Sequence, residues 1–283
     1  MTEAIQSEAA MRQARRRAMF VPREHGAWGL LLVPLFTGTV AGMGPEYRVG
    51  PLFAFLVAAL ALFALRTPVE SLAGTGPISA STAGERRVAL LAALCFAAPA
   101  AGTLVFLLWR GWYSGLLLLG AASALALVAQ AVLRKMGRGT RMLSQLVGAI
   151  SLTCTAPAAY YIGSGRLDTR AFVLWAANWL FAADQIHYVQ LRIHAARAAT
   201  PAEKLARGKW FLAGQVLLLA ALLAAARLSY LPPLAILAFV PALARGAAWF
   251  FRGAEPLDVR RLGWSEMKQG VAFGVLLALV FAR

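Results

Sequence analysis

The chain alternates long apolar runs with short polar or basic segments. A helix that crosses a bilayer needs about 20 mostly apolar residues. Windows of that kind can be centred in nine places, approximately residues 26–43, 51–66, 87–109, 115–133, 143–163, 171–191, 210–227, 229–248 and 264–282. The pattern predicts an all-α polytopic membrane helix bundle with nine transmembrane helices. Residues 1–22 are expected to form a basic cytoplasmic tail, and residues 23–283 a single transmembrane domain.

Three polar or proline-containing segments refine this picture. The segment 67–85 is rich in Gly, Ser and Thr, which favours a mobile loop. The segment "HAARAATPAEKLARGK" predicts a helix end, a break near Pro201 and a short amphipathic helix on the membrane surface. The eighth window contains three prolines, which a membrane helix tolerates only if neighbouring groups satisfy the carbonyls they leave free.

Charge gives the predicted orientation. The formal net charge is +16, yet the arginines separate apolar runs and do not form a basic face, so nucleic-acid binding is not expected. With the N-terminus inside, six of the 28 basic residues fall in outer segments: Arg48, Arg110, Arg166, Arg170, Arg227 and Arg283. The positive-inside rule therefore predicts an N-in, C-out topology in a cell membrane, with membrane lipids as partners. No oligomeric state is predicted.

Ionisable residues inside the predicted spans are candidate functional residues, because charge is expensive in a bilayer. In the sixth window Asp184 lies roughly 21 Å from the outer end, with His187 one turn further on the same helical face. The second window brings Arg66 and Glu70 to a similar depth. These observations predict a polar, cytoplasm-facing cavity, lined by Arg23, His25, Arg66, Glu70, Asp184 and His187.

A purely structural interpretation stays open beside this one. Arg66 and Arg192 would reach lipid phosphates, and Asp184 would pair with one of them to hold two helices together. We favour it for Arg192, which stands at a helix end, but not for Asp184, which has no route to the interface. Trp179 either lines an apolar tunnel or packs in the core.

Longer stretches of the sequence resemble two known protein families. "PREHGAWGLLLVPLFTG" resembles the opening signature of the YwiC-like family of bacterial membrane proteins. The nine spans, the basic entry at Arg23, the run "VPLFTG" and the stretch 134–165 are similar to the UbiA superfamily of intramembrane prenyltransferases. That superfamily has nine transmembrane helices and a cytoplasm-facing cavity.

The UbiA resemblance implies a site for an isoprenoid, or another lipid, with an anionic diphosphate head. In that superfamily two aspartate-rich motifs hold Mg²⁺ against the diphosphate. The matching places here read "LRTPVES" and "ADQIHYVQLRIH", so Glu70 and Asp184 would hold at most one Mg²⁺. The remaining implied roles are diphosphate binding by Arg23, Arg66 and Arg138, general base catalysis by His25 or His187, and shielding of a carbocation by Trp179 or Tyr188.

The sequence leaves the activity itself open. If the protein is an enzyme, it is expected to be a prenyltransferase-like transferase in which Asp184, His187 and His25 are catalytic. The alternative is a small-molecule or anion transporter, or a membrane protein that binds without catalysis; the sequence shows no inverted repeat that would favour transport. No haem is expected, because none of the three histidines lies in a motif that specifies it.

Overall fold

The computed structural model describes residues 25–44, 48–76, 78–110, 113–253 and 257–282, and this part of the chain is helical without any strand. Ten α-helices follow one another: α1 His25–Ala41, α2 Val49–Ala73, α3 Ala83–Arg110, α4 Gly115–Lys135, α5 Arg141–Thr153, α6 Thr155–Ser164, α7 Thr169–His194, α8 Pro201–Arg227, α9 Val240–Phe251 and α10 Val259–Phe281. Short 3₁₀ helices precede α5, at Arg138–Thr140, and α9, at Pro233–Phe239. The all-α prediction is confirmed.

The helices form two compact units. The first unit contains α2 and α3, which pack against each other. The second contains α1 from Gly26 onward together with α4–α10. The division into a basic tail and one transmembrane domain stays a prediction.

A helical stretch occupies each of the nine predicted windows, with α5 and α6 filling the fifth and the 3₁₀ helix Pro233–Phe239 with α9 filling the eighth. Seven of these stretches are long and apolar enough to cross a membrane. The other two are α1, a shorter apolar helix, and α7, which carries Asp184 and several other polar residues. The chain is therefore a multi-pass membrane protein, and its N-in, C-out orientation stays a prediction.

Two local predictions are wrong. The expected loop 67–85 begins as helix, because α2 continues to Ala73 with Pro68 inside it. The expected surface helix after Pro201 is the first part of the long helix α8, with no second break. Thr200 begins α8 with a capping box, in which its side chain accepts from the backbone of Glu203 and the Glu203 carboxylate accepts from the backbone N–H of Thr200.

Glycines allow α1 to lie directly against α6. A Cβ on Gly38 would lie 2.1 Å from the carbonyl oxygen of Ala156, so no larger residue fits without a shift of the backbone. Next to this contact, the Asn178 amide of α7 donates to Thr37 Oγ1 over 3.0 Å, and both side chains are buried. These contacts place α1 in the core of the second unit.

Aromatic packing joins α7 to α10 in the middle of the same unit. The Phe181 and Phe273 rings stack with centroids 3.9 Å apart, and Phe239 meets Phe273 edge to face. All three rings are buried. This packing fixes the facing sides of α7 and α10, so the polar residues that follow Phe181 in α7 come close to those that precede Phe273 in α10.

Candidate functional site

A buried cluster of charged side chains joins three helices of the second unit. Nη2 of Arg245, on α9, lies 3.3 Å from Oδ2 of Asp184 on α7. Its Nη1 donates to Oε2 of Glu266 on α10. The side chains of Arg245 and Asp184 are 5% and 2% exposed. We call these three residues the charged cluster; since two carboxylates share one guanidinium, it carries a formal excess of one negative charge.

Neighbouring polar and aromatic groups complete the surroundings of the charged cluster. Gln215 of α8 donates to Oδ1 of Asp184, so a fourth helix takes part. The guanidinium carbon of Arg245 lies 4.0 Å from the centre of the Tyr188 ring, a cation–π contact. Gln185 donates to the backbone carbonyl of Glu266 over 2.8 Å. Helices α7, α8, α9 and α10 therefore converge on one polar site.

Several buried polar atoms at or near this site have no hydrogen-bond partner among the described residues. They are Nε of Arg245, Oε1 of Gln215, Oε1 of Glu266 and Oε1 of Gln269, one turn further along α10. A buried polar group without a partner costs free energy, and such groups are commonly satisfied by water or a ligand. The site thus has unused hydrogen-bonding capacity.

Polar contacts continue from the charged cluster toward the ends of the helices. Tyr188, whose ring lies against Arg245, accepts a hydrogen bond at its hydroxyl from Nη1 of Arg192 over 3.4 Å. Arg192 is in the last turn of α7 and is half-buried. A column of polar groups therefore connects the charged cluster with the end of α7; we call Arg192, Tyr188 and the charged cluster the polar column.

The polar column ends, at Arg192, on a side of the unit that is rich in lysine and arginine. Lys204 is buried there and donates to the backbone carbonyls of Trp249, Arg252 and Gly253 over 3.2, 2.5 and 3.2 Å, which satisfies carbonyls at and just beyond the end of α9. A small depression of about 10 Å³ is lined by Arg192, Lys204 and Arg252 among others. We call the helix ends that meet here, those of α7, α8, α9 and α10, the basic end; the lysines and arginines on them are Arg192, Arg197, Lys204, Arg207, Lys209, Arg252, Arg260 and Arg261.

Comparison with known protein families shows the family of the chain. The profile of the family described as YwiC-like protein matches residues 21–160, about half of the chain, from before α1 into α6. Over this region the chain belongs to the YwiC-like family. The match ends before α7, so the charged cluster of this YwiC-like protein lies in the part that follows the matched region. No curated protein and no solved structure matches the chain.

The structure brings together some of the predicted site residues of this YwiC-like protein. Asp184 and Tyr188 belong to the polar column. His187 lies beside it, facing α8, with its ring edge to face against Phe211 at 5.2 Å. Trp179 lies elsewhere on α7, where its indole N–H donates to the carbonyl of Leu146 on α5 over 3.0 Å.

Other predicted site residues lie in the first unit or outside the described part. Arg66 and Glu70 belong to α2, where Nε of the arginine lies 2.9 Å from Oε1 of the glutamate, one turn away. Arg23 and the side chains of His25 and Arg138 are outside the described residues. The predicted cavity and the predicted Mg²⁺ pair of Glu70 and Asp184 join the two units, so both stay predictions.

Sequence reasoning missed Arg245, Glu266 and Gln215. Arg245 is not one of the six basic residues assigned to outer segments, so the predicted topology places it on the inner side; in the structure it is buried within α9. Glu266 lies within the ninth predicted span, so the argument that singled out Asp184 would also have found it. The expected partners of Asp184 were Arg66 or Arg192; its arginine partner in the structure is Arg245.

Proposed function

We propose that this YwiC-like protein binds an amphiphile with an anionic head at the basic end of its second unit. The observation that carries the proposal is the depression at the basic end, which Arg192 and Arg252 line and from which the polar column continues into the unit. An isoprenoid diphosphate is the ligand class that the UbiA resemblance implies. The proposal puts the basic end on the cytoplasmic side of a bacterial inner membrane, in line with the positive-inside rule.

The charge arrangement favours an anion at the basic end and not at the charged cluster. Arg245 already contacts two carboxylates, and a further anion beside them would meet an excess of negative charge. Arg192 and Arg252, in contrast, line the depression at the basic end. Arginine binds phosphate oxygens through a planar set of donors, which suits a diphosphate head.

The same arrangement bears on the transfer reaction implied by the resemblance. The carboxylate of Asp184 accepts from Gln215 and contacts Arg245, and that of Glu70 contacts Arg66. Both carboxylates are thus paired with protein groups, yet an ionised carboxylate has about four lone-pair sites, so these contacts do not prevent it from holding Mg²⁺. We propose binding of the amphiphile as the function; transfer of its chain would in addition need a Mg²⁺ ion held between a carboxylate and the diphosphate.

Lipids that remain bound during purification test the proposal. The protein is purified from its native membrane, and retained amphiphiles are identified by mass spectrometry. The variant Arg192→Gln should no longer retain the anionic amphiphile, because the substitution removes a positive charge beside the depression at the basic end. Arg227→Gln, an exposed arginine at the other end of α8, is the matched control and should keep it. Equal retention by wild type and both variants would contradict the proposal.

Proton-coupled transport is a second candidate. The observation that favours it is the charged cluster itself, in which two carboxylates share one arginine, because buried acids of this kind occur in proton pathways. Proteoliposomes that contain a pH-sensitive dye would report the coupled proton flux when a diphosphate or another anion is added outside. A flux that is lost in Glu266→Gln supports this candidate, and the absence of any flux in wild type removes it.

A further inference from the structure

A second feature of the same unit lies at the opposite end of its helices. A cavity of about 810 Å³ is formed where the connection between α8 and α9 passes the ends of α7 and α10. Its wall is mostly apolar, with Leu231, Leu237 and Leu279 among the lining residues, and Arg170 contributes a positive charge. The volume is in the range of ligand-binding pockets. We call this feature the distal cavity.

The backbone explains why the distal cavity is preformed. After α8 ends, Ser229 adopts a φ of +60°, a conformation that non-glycine residues rarely take. Pro232 is then extended, with ψ of 130°, and the 3₁₀ helix begins at Pro233. Since proline fixes its own φ and has no N–H to donate, the chain cannot continue α8 here and leaves a space beside it.

Arg170 is held in a defined position at this cavity. It donates from Nη2 to the carbonyl of Phe281, in the last turn of α10, and its guanidinium carbon lies 5.5 Å from the centre of the Phe281 ring. The residue itself is exposed. A guanidinium has five N–H donors, so one such bond leaves others to bind an anion.

We propose that the distal cavity binds an anionic phospholipid, with one acyl chain against the leucines and the phosphate at Arg170. Candidate spans end beside the cavity, at Arg227 and Phe281, so this is the level at which a bilayer presents its head groups. The apolar wall and the single fixed cation match the two parts of such a lipid. This site is separate from the basic end and independent of the function proposed there.

Native mass spectrometry of the full-length protein in detergent tests the inference. The probes are phosphatidylglycerol and diacylglycerol, which lacks the phosphate, with identical acyl chains. Wild type should bind one phosphatidylglycerol at least tenfold more tightly than diacylglycerol, because a charge-assisted contact with Arg170 is worth roughly a factor of ten or more. Arg170→Gln should remove that preference.

Matched variants separate the distal cavity from general lipid binding. Leu237→Trp fills the cavity and should weaken binding of both lipids, whereas Leu217→Trp, on an exposed part of α8 away from the cavity, should not. Arg166→Gln should keep the wild-type preference. Size-exclusion chromatography after heating identifies any variant that fails to fold. Arg170→Lys, which keeps the charge, should retain the preference. If Arg170→Gln fails to fold, Arg170→Met takes its place and should remove the preference.

Equal affinity for the two lipids in wild type would overturn the inference, and so would an unchanged preference in Arg170→Gln. Loss of the preference in Arg192→Gln but not in Arg170→Gln would assign the anionic lipid to the basic end instead. That outcome would support the proposed function while overturning the distal site.

Discussion

Removing the guanidinium of Arg245 should strongly destabilise the protein. At 3.3 Å and an effective dielectric constant of about 20, two unit charges attract by about 5 kcal/mol, and the arginine contacts a second carboxylate as well. Part of this attraction offsets the cost of burying the charges, so the loss of stability on removing Arg245 is smaller than the sum of its two attractions. Breaking a buried ion pair by removing one partner typically costs 3–5 kcal/mol. We therefore expect Arg245→Met to lower the free energy of unfolding by about 3–5 kcal/mol.

The assay is equilibrium unfolding by SDS in mixed micelles, followed by tryptophan fluorescence. A triple variant, Asp184→Asn with Arg245→Met and Glu266→Gln, should recover most of the loss, because it leaves no uncompensated charge. Arg197→Met is the matched control, since that arginine is exposed at the basic end, and it should change the stability by less than about 0.5 kcal/mol. A loss below about 1 kcal/mol for Arg245→Met, or no recovery in the triple variant, would refute the reasoning.

Three further predictions concern local contacts and use the same unfolding assay. Gly38→Leu should lower the free energy of unfolding by about 1–3 kcal/mol or more, because the leucine side chain would meet the backbone of α6. Gly29→Ala, with open space around the residue, is the control and should be neutral or slightly stabilising. Equal effects of the two substitutions on stability would contradict the close packing of α1. Thr200→Ala should cost about 1 kcal/mol through loss of the cap of α8, and an unchanged stability would mean that the cap contributes nothing. Lys204→Met should cost about 1–3 kcal/mol, because the backbone carbonyls at the end of α9 lose their donor, and Lys204→Arg should lose less.

Hydrophobic patterning located the helices well and their ends less well. A helix appears in each predicted window because a run of about 20 apolar residues has few alternatives in a membrane. The end of α2 was misplaced, since Pro68 and the polar residues after it indicate a loop by composition. In the structure Pro68 is buried, and Arg66 and Glu70 form an ion pair one turn apart on the continuing helix. Those contacts depend on the fold and are not visible in a window of sequence.

The candidate site could be predicted in part for a similar reason. Asp184 stood out as a carboxylate in the middle of an apolar helix. The arginine partner of Asp184 could not be identified from the sequence, because the choice among the many arginines depends on how α7, α8, α9 and α10 pack. Arg245 also lies close to the uncertain end of the eighth window, where an arginine is ordinarily taken to reach the interface. Glu266 comes to the same place as Asp184 through contacts between distant parts of the chain, among them the packing of Phe181 on Phe273 and the hydrogen bond from Gln185 to the backbone of Glu266.

Binding of farnesyl diphosphate to the purified full-length protein tests the central claim most directly. Farnesol, which has the same chain without the anionic head, is the matched ligand, and Arg227→Gln is the matched variant for Arg192→Gln. We predict saturable binding of farnesyl diphosphate to wild type and to Arg227→Gln, at least tenfold weaker binding to Arg192→Gln, and weaker binding of farnesol to all three. Binding of farnesol as tight as that of farnesyl diphosphate, or an affinity unchanged by Arg192→Gln, would contradict an anionic-head site at the basic end.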